Sequence, residues 1–291
     1  MSKEFRKTAA FLLLAAVVIT TMTLCVSTNV VKGKPVILAV SFGTSFNDSR
    51  EKTIGAIEKA LAGAYPQYEV RRAFTSQIII DRINQRDGEK IDNVQEAMTR
   101  LKKDGVQSVV VQPTHIMEGF EYDDLIKEIK PFEGDFKEIK YGLPLLNSDK
   151  DFNDVIDIIT ASTNQYADND TTIVFMGHGT EHPANKAYSK LDEMLKARGF
   201  SHYYIGTVEA TPSLDDIITV LGDAPVTRIV LEPLMIVAGD HANNDMAGSE
   251  DDSWKSILES KGYEVITILK GLGEEPGIQQ MFIRHAGDAM K

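Results

Sequence analysis

Short apolar runs alternate with helix-spaced patterns along most of the chain. Pro35–Phe42 (PVILAVSF) is an unbroken run of the buried-strand type. Arg50–Ala64 follows, with Ile54, Ile57, Ala60 and Leu61 on one helical face. Tyr68–Phe74 predicts a second strand, and Ile78–Ile83 and Val94–Lys103 predict helices. Val106–Gln112 (VQSVVVQ) predicts a third strand, Tyr122–Ile129 a helix, and Phe136–Tyr141 a further strand. The pattern then restarts. Thr171–Met176, Tyr203–Thr207, Val226–Glu232 and Val265–Leu269 read as strands. Pro183–Arg198, Leu214–Leu221, Trp254–Lys261 and Gly277–Met290 read as helices. Strands separated by helices require crossover connections, so the class is α/β with mostly parallel sheets.

The two halves can be laid over each other. Val40-Ser41-Phe42-Gly43-Thr44 matches Met176-Gly177-His178-Gly179-Thr180. Val109–Pro113 matches Ile229–Pro233, and Ile116–Gly119 matches Ile236–Gly239. A repeat of this length is a duplicated domain. The expectation is two similar doubly wound lobes, over 34–165 and 170–291, joined through the polar stretch Asn164–Asp170. In such sheets ligands bind beyond the carboxyl ends of the strands.

The chain has 291 residues, 43% hydrophobic and 25% charged, which supports two real cores. Its net charge of −12 argues against nucleic acid as a partner, because phosphate binding needs a basic face. The single cysteine, Cys25, excludes an internal disulfide framework and any Cys-Cys metal site. A metal must therefore be held by His, Asp or Glu. Cys25 lies in residues 1–27, which have the layout of an export signal: Lys3, Arg6 and Lys7, then an uncharged stretch from Thr8 to Val26. The expectation is an exported, periplasmic or otherwise extracytoplasmic protein. It is cleaved after Ser27 or anchored in the membrane through residues 8–26 alone.

Three of the six histidines, His115, His178 and His241, follow predicted strands at once or after a short turn. His178 is flanked by glycines, and its counterpart in the first half is Phe42, so the repeat keeps the turn and changes the chemistry. His241 lies in a polar loop where Asp240 could orient its ring. Glu209 follows the Tyr203–Thr207 strand, with Thr75 as its expected counterpart. His178, Glu209 and His241 end three strands of one lobe, and two imidazoles with one carboxylate suit Co²⁺, Fe²⁺, Ni²⁺ or Zn²⁺. Their long spacings form no compact motif; the fold has to bring them together. Glu121 aligns with His241 and could face the site from the other lobe as a proton acceptor. His115 and Glu118 are weaker candidates in the same segment. The sequence has no P-loop, no GxGxxG after a strand, no GxSxG and no HExxH.

The segments VSFGTS, PTHIMEGFEYDD, GHGTEHPAN, VEATPS and PLMIVAGDHANNDMAG resemble those of the anaerobic-type sirohydrochlorin cobaltochelatases of cobalamin biosynthesis. These are class II chelatases, related to ferrochelatases, and the resemblance covers residues 35–288. It implies two α/β lobes around a tetrapyrrole cleft. It implies His178, Glu209 and His241 at the metal-binding positions, with Glu121 as the acid from the other lobe and His178, Glu121 and His241 as the catalytic set. The implied reaction is ATP-independent insertion of Co²⁺ into sirohydrochlorin with loss of two protons. A homo-oligomer is compatible with it, and haem binding is not decided by these residues. The exported N-terminus is the departure, since corrin-pathway substrates are made in the cytoplasm; it favours a role in metal or tetrapyrrole handling outside. The alternatives are an exported metal or haem receptor without turnover, and a ferrochelatase-like enzyme for another porphyrin. Arg50, Lys52, Arg71 and Arg72 are the bases considered for the substrate's carboxylates.

Overall fold

The computed structural model describes residues 33–222 and 226–291; the predicted export signal, 1–27, lies outside them. Two four-stranded parallel sheets have the same strand order. The first runs β2 (Glu69–Phe74), β1 (Val36–Ser41), β3 (Ser108–Pro113), β4 (Glu138–Tyr141). The second runs β6 (Tyr203–Thr207), β5 (Thr171–Gly177), β7 (Arg228–Pro233), β8 (Glu264–Thr267). β1 and β5 are central and buried on both faces, which is why they read as unbroken apolar runs.

The helices are α1 (Asn47–Arg50), which passes through a π-helical turn at Glu51–Gly55 into α2 (Ala56–Ala64), then α3 (Gln77–Asp87), α4 (Val94–Lys103) and α5 (Phe120–Ile129). After the first sheet come α6 (Asp149–Thr163), α7 (Lys186–Ala197), α8 (Leu214–Leu221), α9 (Trp254–Ser260) and α10 (Pro276–Met290). The strand period of two separates the cores. Val36, Leu38 and Val40 of β1 pack with α4 and α5 residues such as Met98 and Leu125. Ile37 and Ala39 point the other way, into a core that also holds Ile173 and Phe175 of β5. The two lobes therefore share apolar interior.

Two helices differ from the sequence expectation. The sequence pattern assigns no element to residues 149–163, yet α6 there is a four-turn helix. Ser148 and Asp151 form a capping box at its start, and Phe152, Val155, Ile156 and Ile159 are buried. α10, placed by chain order in the division 170–291, packs instead against α2, β3 and β4 of the first lobe. Tyr65 donates to the Ile283 carbonyl at 2.8 Å and Lys140 Nζ to that of Met290 at 2.8 Å. α6 in turn packs on α7 of the second lobe. Apolar faces are satisfied by whichever sheet lies nearest, and chain order alone does not say which that is. Asp151 of α6 ties the exchange together. It accepts from His285 Nε2 at 3.0 Å and Arg284 at 2.6 Å, both on α10. Burial opposes its charge, but bonds from Ser148, His285 and Arg284 hold its carboxyl down at about 2. Among the described residues no helix is long and apolar enough to cross a membrane.

Candidate metal centre

The chain leaves β1 and β5 through the same turn. Gly43 has φ +101° and Gly179 φ +85°, where L side chains are strained. A Cβ on Gly179 would also lie 2.8 Å from the Ala210 nitrogen. The residue before each glycine is thus turned out beyond the sheet: Phe42 in the first lobe, 49% exposed, and His178 in the second. Backbone pairing continues past β6. Val208 N–H donates to the Gly177 carbonyl at 3.0 Å and Glu209 N–H to that of His178 at 2.9 Å. This holds Glu209 beside His178. In the first lobe Ser76 N–H donates to the Phe42 carbonyl at 3.2 Å, so the counterpart of Glu209 is Ser76 and not Thr75. His241 opens the π-helical turn Ala242–Met246 that follows β7.

The fold brings together the three residues that spacing alone left apart. One donor atom each from His178, Glu209 and His241 can be chosen so that all lie within 4.8 Å of one another. The imidazoles meet edge to face, centroids 4.7 Å apart. Each ring has its Nδ1 engaged by a group that can only accept: the Gly179 carbonyl at 2.8 Å for His178, the Asp245 carboxylate at 2.7 Å for His241. Nδ1 must therefore carry the proton in the neutral ring, which leaves an Nε2 lone pair for a metal. The orienting carboxylate is Asp245, one helical turn on, and not Asp240, which accepts from Asn244 at 3.0 Å. A pair four residues apart on a helical turn can meet; adjacent residues point apart. The imidazoles are half-buried and Glu209 is exposed, so ligands on an ion held here could exchange.

The cluster lies on one wall of a cleft of about 540 Å³ between the carboxyl ends of the two sheets. A larger hollow, about 690 Å³, between α3 and α4 contains none of these residues. From the first lobe the cleft is lined by Phe42, His115, Phe120 and Glu121. Glu121 lies in the first turn of α5, exposed, and is close enough to raise the proton affinity of His115. Burial outweighs this and pushes the His115 imidazole down to about 4, so it is neutral at physiological pH. Both its ring nitrogens are shielded and lack a partner among the described residues. Glu118 turns away, accepting from Asn147 at 3.1 Å, and does not line the cleft.

The other histidines serve elsewhere. His182 Nδ1 accepts from Ala184 N–H at 3.0 Å, and its Nε2 reaches across to Asp123 of the first lobe at 3.5 Å. Its ring stands edge-on to Phe120, centroids 4.9 Å apart. His202 is exposed and away from the cluster, and His285 is the buried partner of Asp151. Tyr188 is a cleft residue that sequence reasoning missed. Burial pushes its phenol up to about 12, and the hydroxyl takes the Gly179 N–H at 3.5 Å, bracing the turn that carries His178. Its position in α7 looks like any core aromatic, so no local signal marks it.

A family model described as cobalt chelatase (CbiK) matches residues 35–291. The chain belongs to the CbiK family. This CbiK-family chain is 42% identical over 259 residues to the sirohydrochlorin cobaltochelatase of Salmonella typhimurium, covering 88% of this chain and 97% of that one. It is 34% identical over 251 residues to the sirohydrochlorin cobaltochelatase CbiKC of Nitratidesulfovibrio vulgaris, covering 86% and 88%. Its structure is similar to that of SirB from Bacillus subtilis with Fe³⁺, with a TM-score of 0.63, 13% identity and coverage of 88% and 95%. At that identity the likeness is one of fold: two lobes of the same α/β kind.

Proposed function

We propose that the protein inserts Co²⁺ into sirohydrochlorin with release of two protons and without a nucleotide. The observation that carries this reading is the convergence of His178, Glu209 and His241 on the wall of a two-lobed cleft, in a CbiK-family chain. Both curated relatives bear the name sirohydrochlorin cobaltochelatase. The absence of a P-loop accords with independence from ATP.

The metal is a substrate and needs a holding site that can let go. His178 and His241 supply neutral donors, and Glu209 offsets part of the ion's charge. Three donors on an open wall leave coordination positions for water and then for pyrrole nitrogens, so ligands exchange stepwise. The two pyrrole N–H protons leave as the nitrogens take up the metal, and the macrocycle's charge then balances the ion. Glu121, a carboxylate on the facing wall, receives these protons and passes them to solvent, to which it is exposed. Tyr188 and His115 stay neutral beside it and add no charge to the cleft.

The test is anaerobic mixing of the purified protein with sirohydrochlorin and Co²⁺, followed by the absorbance of metal insertion. Insertion well above the uncatalysed rate, lost in His178→Ala and His241→Ala, is expected. Stoichiometric binding with no added rate would favour an exported receptor, the reading that the pattern of residues 1–27 supports. Other divalent ions and other porphyrins are compared in the same assay. Export itself is tested by cell fractionation and by the N-terminal mass of the mature protein.

A further inference from the structure

The substrate proposed above carries a rim of acetate and propionate groups, and the protein carries a net charge of −12. The bases considered from sequence do not meet this need. Arg50 is bound to Glu89 at 2.7 Å, and Arg71 to Glu69 and Asp104 at 2.9 and 2.6 Å. Arg72 is held by both oxygens of Glu58 at 2.7 Å. None of these, nor Lys52, lines the cleft.

One cation does. Arg82 of α3 is the only Lys or Arg among the described residues that line the cleft. It is exposed and has no ion pair or side-chain hydrogen bond among the described residues. Arg86, one turn further along α3, is committed to Asp87 and Asn47. Ile79 and Arg82, three apart, present one face of α3 to the cleft, while Gln77, Ile80, Asp81 and Asn84 line the hollow on its other side. The remaining charged groups on the cleft wall are acids: Glu121, Glu181, Glu209 and Asp240.

The cleft is therefore polarised. Carboxylates cluster about the metal donors, and one uncommitted guanidinium sits on the α3 side. The first-lobe wall also offers the exposed rings of Phe42 and Phe120. A flat apolar macrocycle with an anionic rim meets a single counter-charge on this wall, the Arg82 guanidinium. We infer that Arg82 is a substrate-binding residue that holds one peripheral carboxylate of the tetrapyrrole, by paired N–H···O bonds. It thereby sets the in-plane rotation of the ring over the metal donors. A guanidinium suits this role because its planar fork matches a carboxylate, whereas an ammonium contributes a point charge.

The inference rests on the tetrapyrrole reading of the cleft, so the experiment separates the two. Metal-free sirohydrochlorin is titrated into wild type, Arg82→Gln, Arg82→Lys and Arg100→Gln, followed by quenching of its fluorescence. Arg100 is exposed, lies in the α3–α4 hollow and pairs with Asp92, so its loss makes the same change in net charge away from the cleft. Arg82→Gln is expected to weaken binding roughly tenfold, the worth of one charge-assisted contact at an accessible site. Arg82→Lys should recover part of the loss and Arg100→Gln should bind as wild type. In turnover the Arg82→Gln defect should appear in KM more than in kcat, while Co²⁺ binding without the macrocycle is unchanged. A methyl-esterified macrocycle should bind wild type and Arg82→Gln equally. Wild-type binding that Arg82→Gln leaves within twofold, or an equal loss in Arg100→Gln, overturns the role of Arg82 and leaves the chelatase reading standing. Wild type that takes up no tetrapyrrole overturns both.

Discussion

The two lobes share a strand order, a glycine turn and the hydrogen bonds that follow it, yet one wall of the cleft carries the cluster of His178, Glu209 and His241 and the other has no such set among the described residues. Position by position, Phe42 corresponds to His178, Ser76 to Glu209, and Glu121 to His241. The scaffold positions are equivalent; the side chains have been divided between tasks. On the proposed reading one wall would hold the ion, and the other would offer aromatic surface, a carboxylate base and a guanidinium. A duplicated fold thus supplies two sets of strand ends from which an asymmetric site can be assembled.

The largest effect should come from making the second lobe copy the first. His178→Phe removes one donor and leaves the turn. Co²⁺ insertion should fall by on the order of 1000-fold, about 4 kcal/mol of barrier. Isothermal titration with Co²⁺ should show parallel loss of binding, and a variant keeping half the wild-type rate would rule the cluster out as the metal site.

The exchange of α6 and α10 makes the lobes one stability unit. Asp151→Ala strands buried His285, while Arg284 keeps Asp154 at 2.7 Å, and should cost about 3 kcal/mol. Calorimetry should still show one transition for residues 33–291; separate transitions for the lobes would break the claim of a shared core. The Asp151 carboxyl lies near 2 in the folded chain, below its ordinary 3.8. Its contribution is complete above 3.8 and is lost as pH falls toward 2. The acid limb of the wild-type stability curve should therefore flatten in the variant.

Asp245→Asn tests how far the imidazole depends on the group behind it. The loss of a carboxylate partner at Nδ1 should weaken Co²⁺ binding about 10–100-fold, with the fold unchanged. The first lobe has no equivalent to perturb, because Glu121 itself stands where His241 would.

A smaller effect concerns the strand ends behind the cleft. Gln112 of β3 is buried and neutral, donating to the Pro113 and Leu143 carbonyls at 2.8 and 3.0 Å. Its counterpart Glu232 of β7 is also buried, one oxygen lacks a partner among the described residues, and burial pushes its carboxyl up to about 7 despite Lys270. The folded chain binds this proton more tightly than the unfolded one. Stability from this group is therefore full below 4.5, falls as pH rises toward 7, and is level above. Glu232→Gln, which copies the first lobe, should remove that slope and add about 1 kcal/mol at pH 8. Urea titrations at pH 5 and pH 8 read the difference.

Much of this was legible in the chain. The buried runs at Val36–Ser41 and Thr171–Gly177 are long and flanked by turns, so the strand period is clear. The matched VSFGT and MGHGT segments exposed the duplication and marked His178 as the position where it changes. Ser76 rather than Thr75 is the counterpart of Glu209 because one residue shifts the register past β2, and Asp245 rather than Asp240 orients His241 because a helical turn in that loop is invisible as a local pattern. α6 escaped notice, although the spacing from Phe152 to Ile159 and the Ser148–Asp151 box are visible once sought.

The sequence by itself determined the class of fold, the twofold repeat and which residue types could hold a metal. These follow from local periodicity and from chemistry that each side chain carries wherever it lies. Only the tertiary structure decided that His178, Glu209 and His241 meet, that α10 crosses to the first lobe, and that Arg82 rather than Arg50, Arg71 or Arg72 is the cation that lines the cleft among the described residues. Such facts depend on contacts between residues far apart in the chain. They are set by how apolar faces and opposite charges find their nearest partners once the sheets have packed, and no local pattern records that outcome.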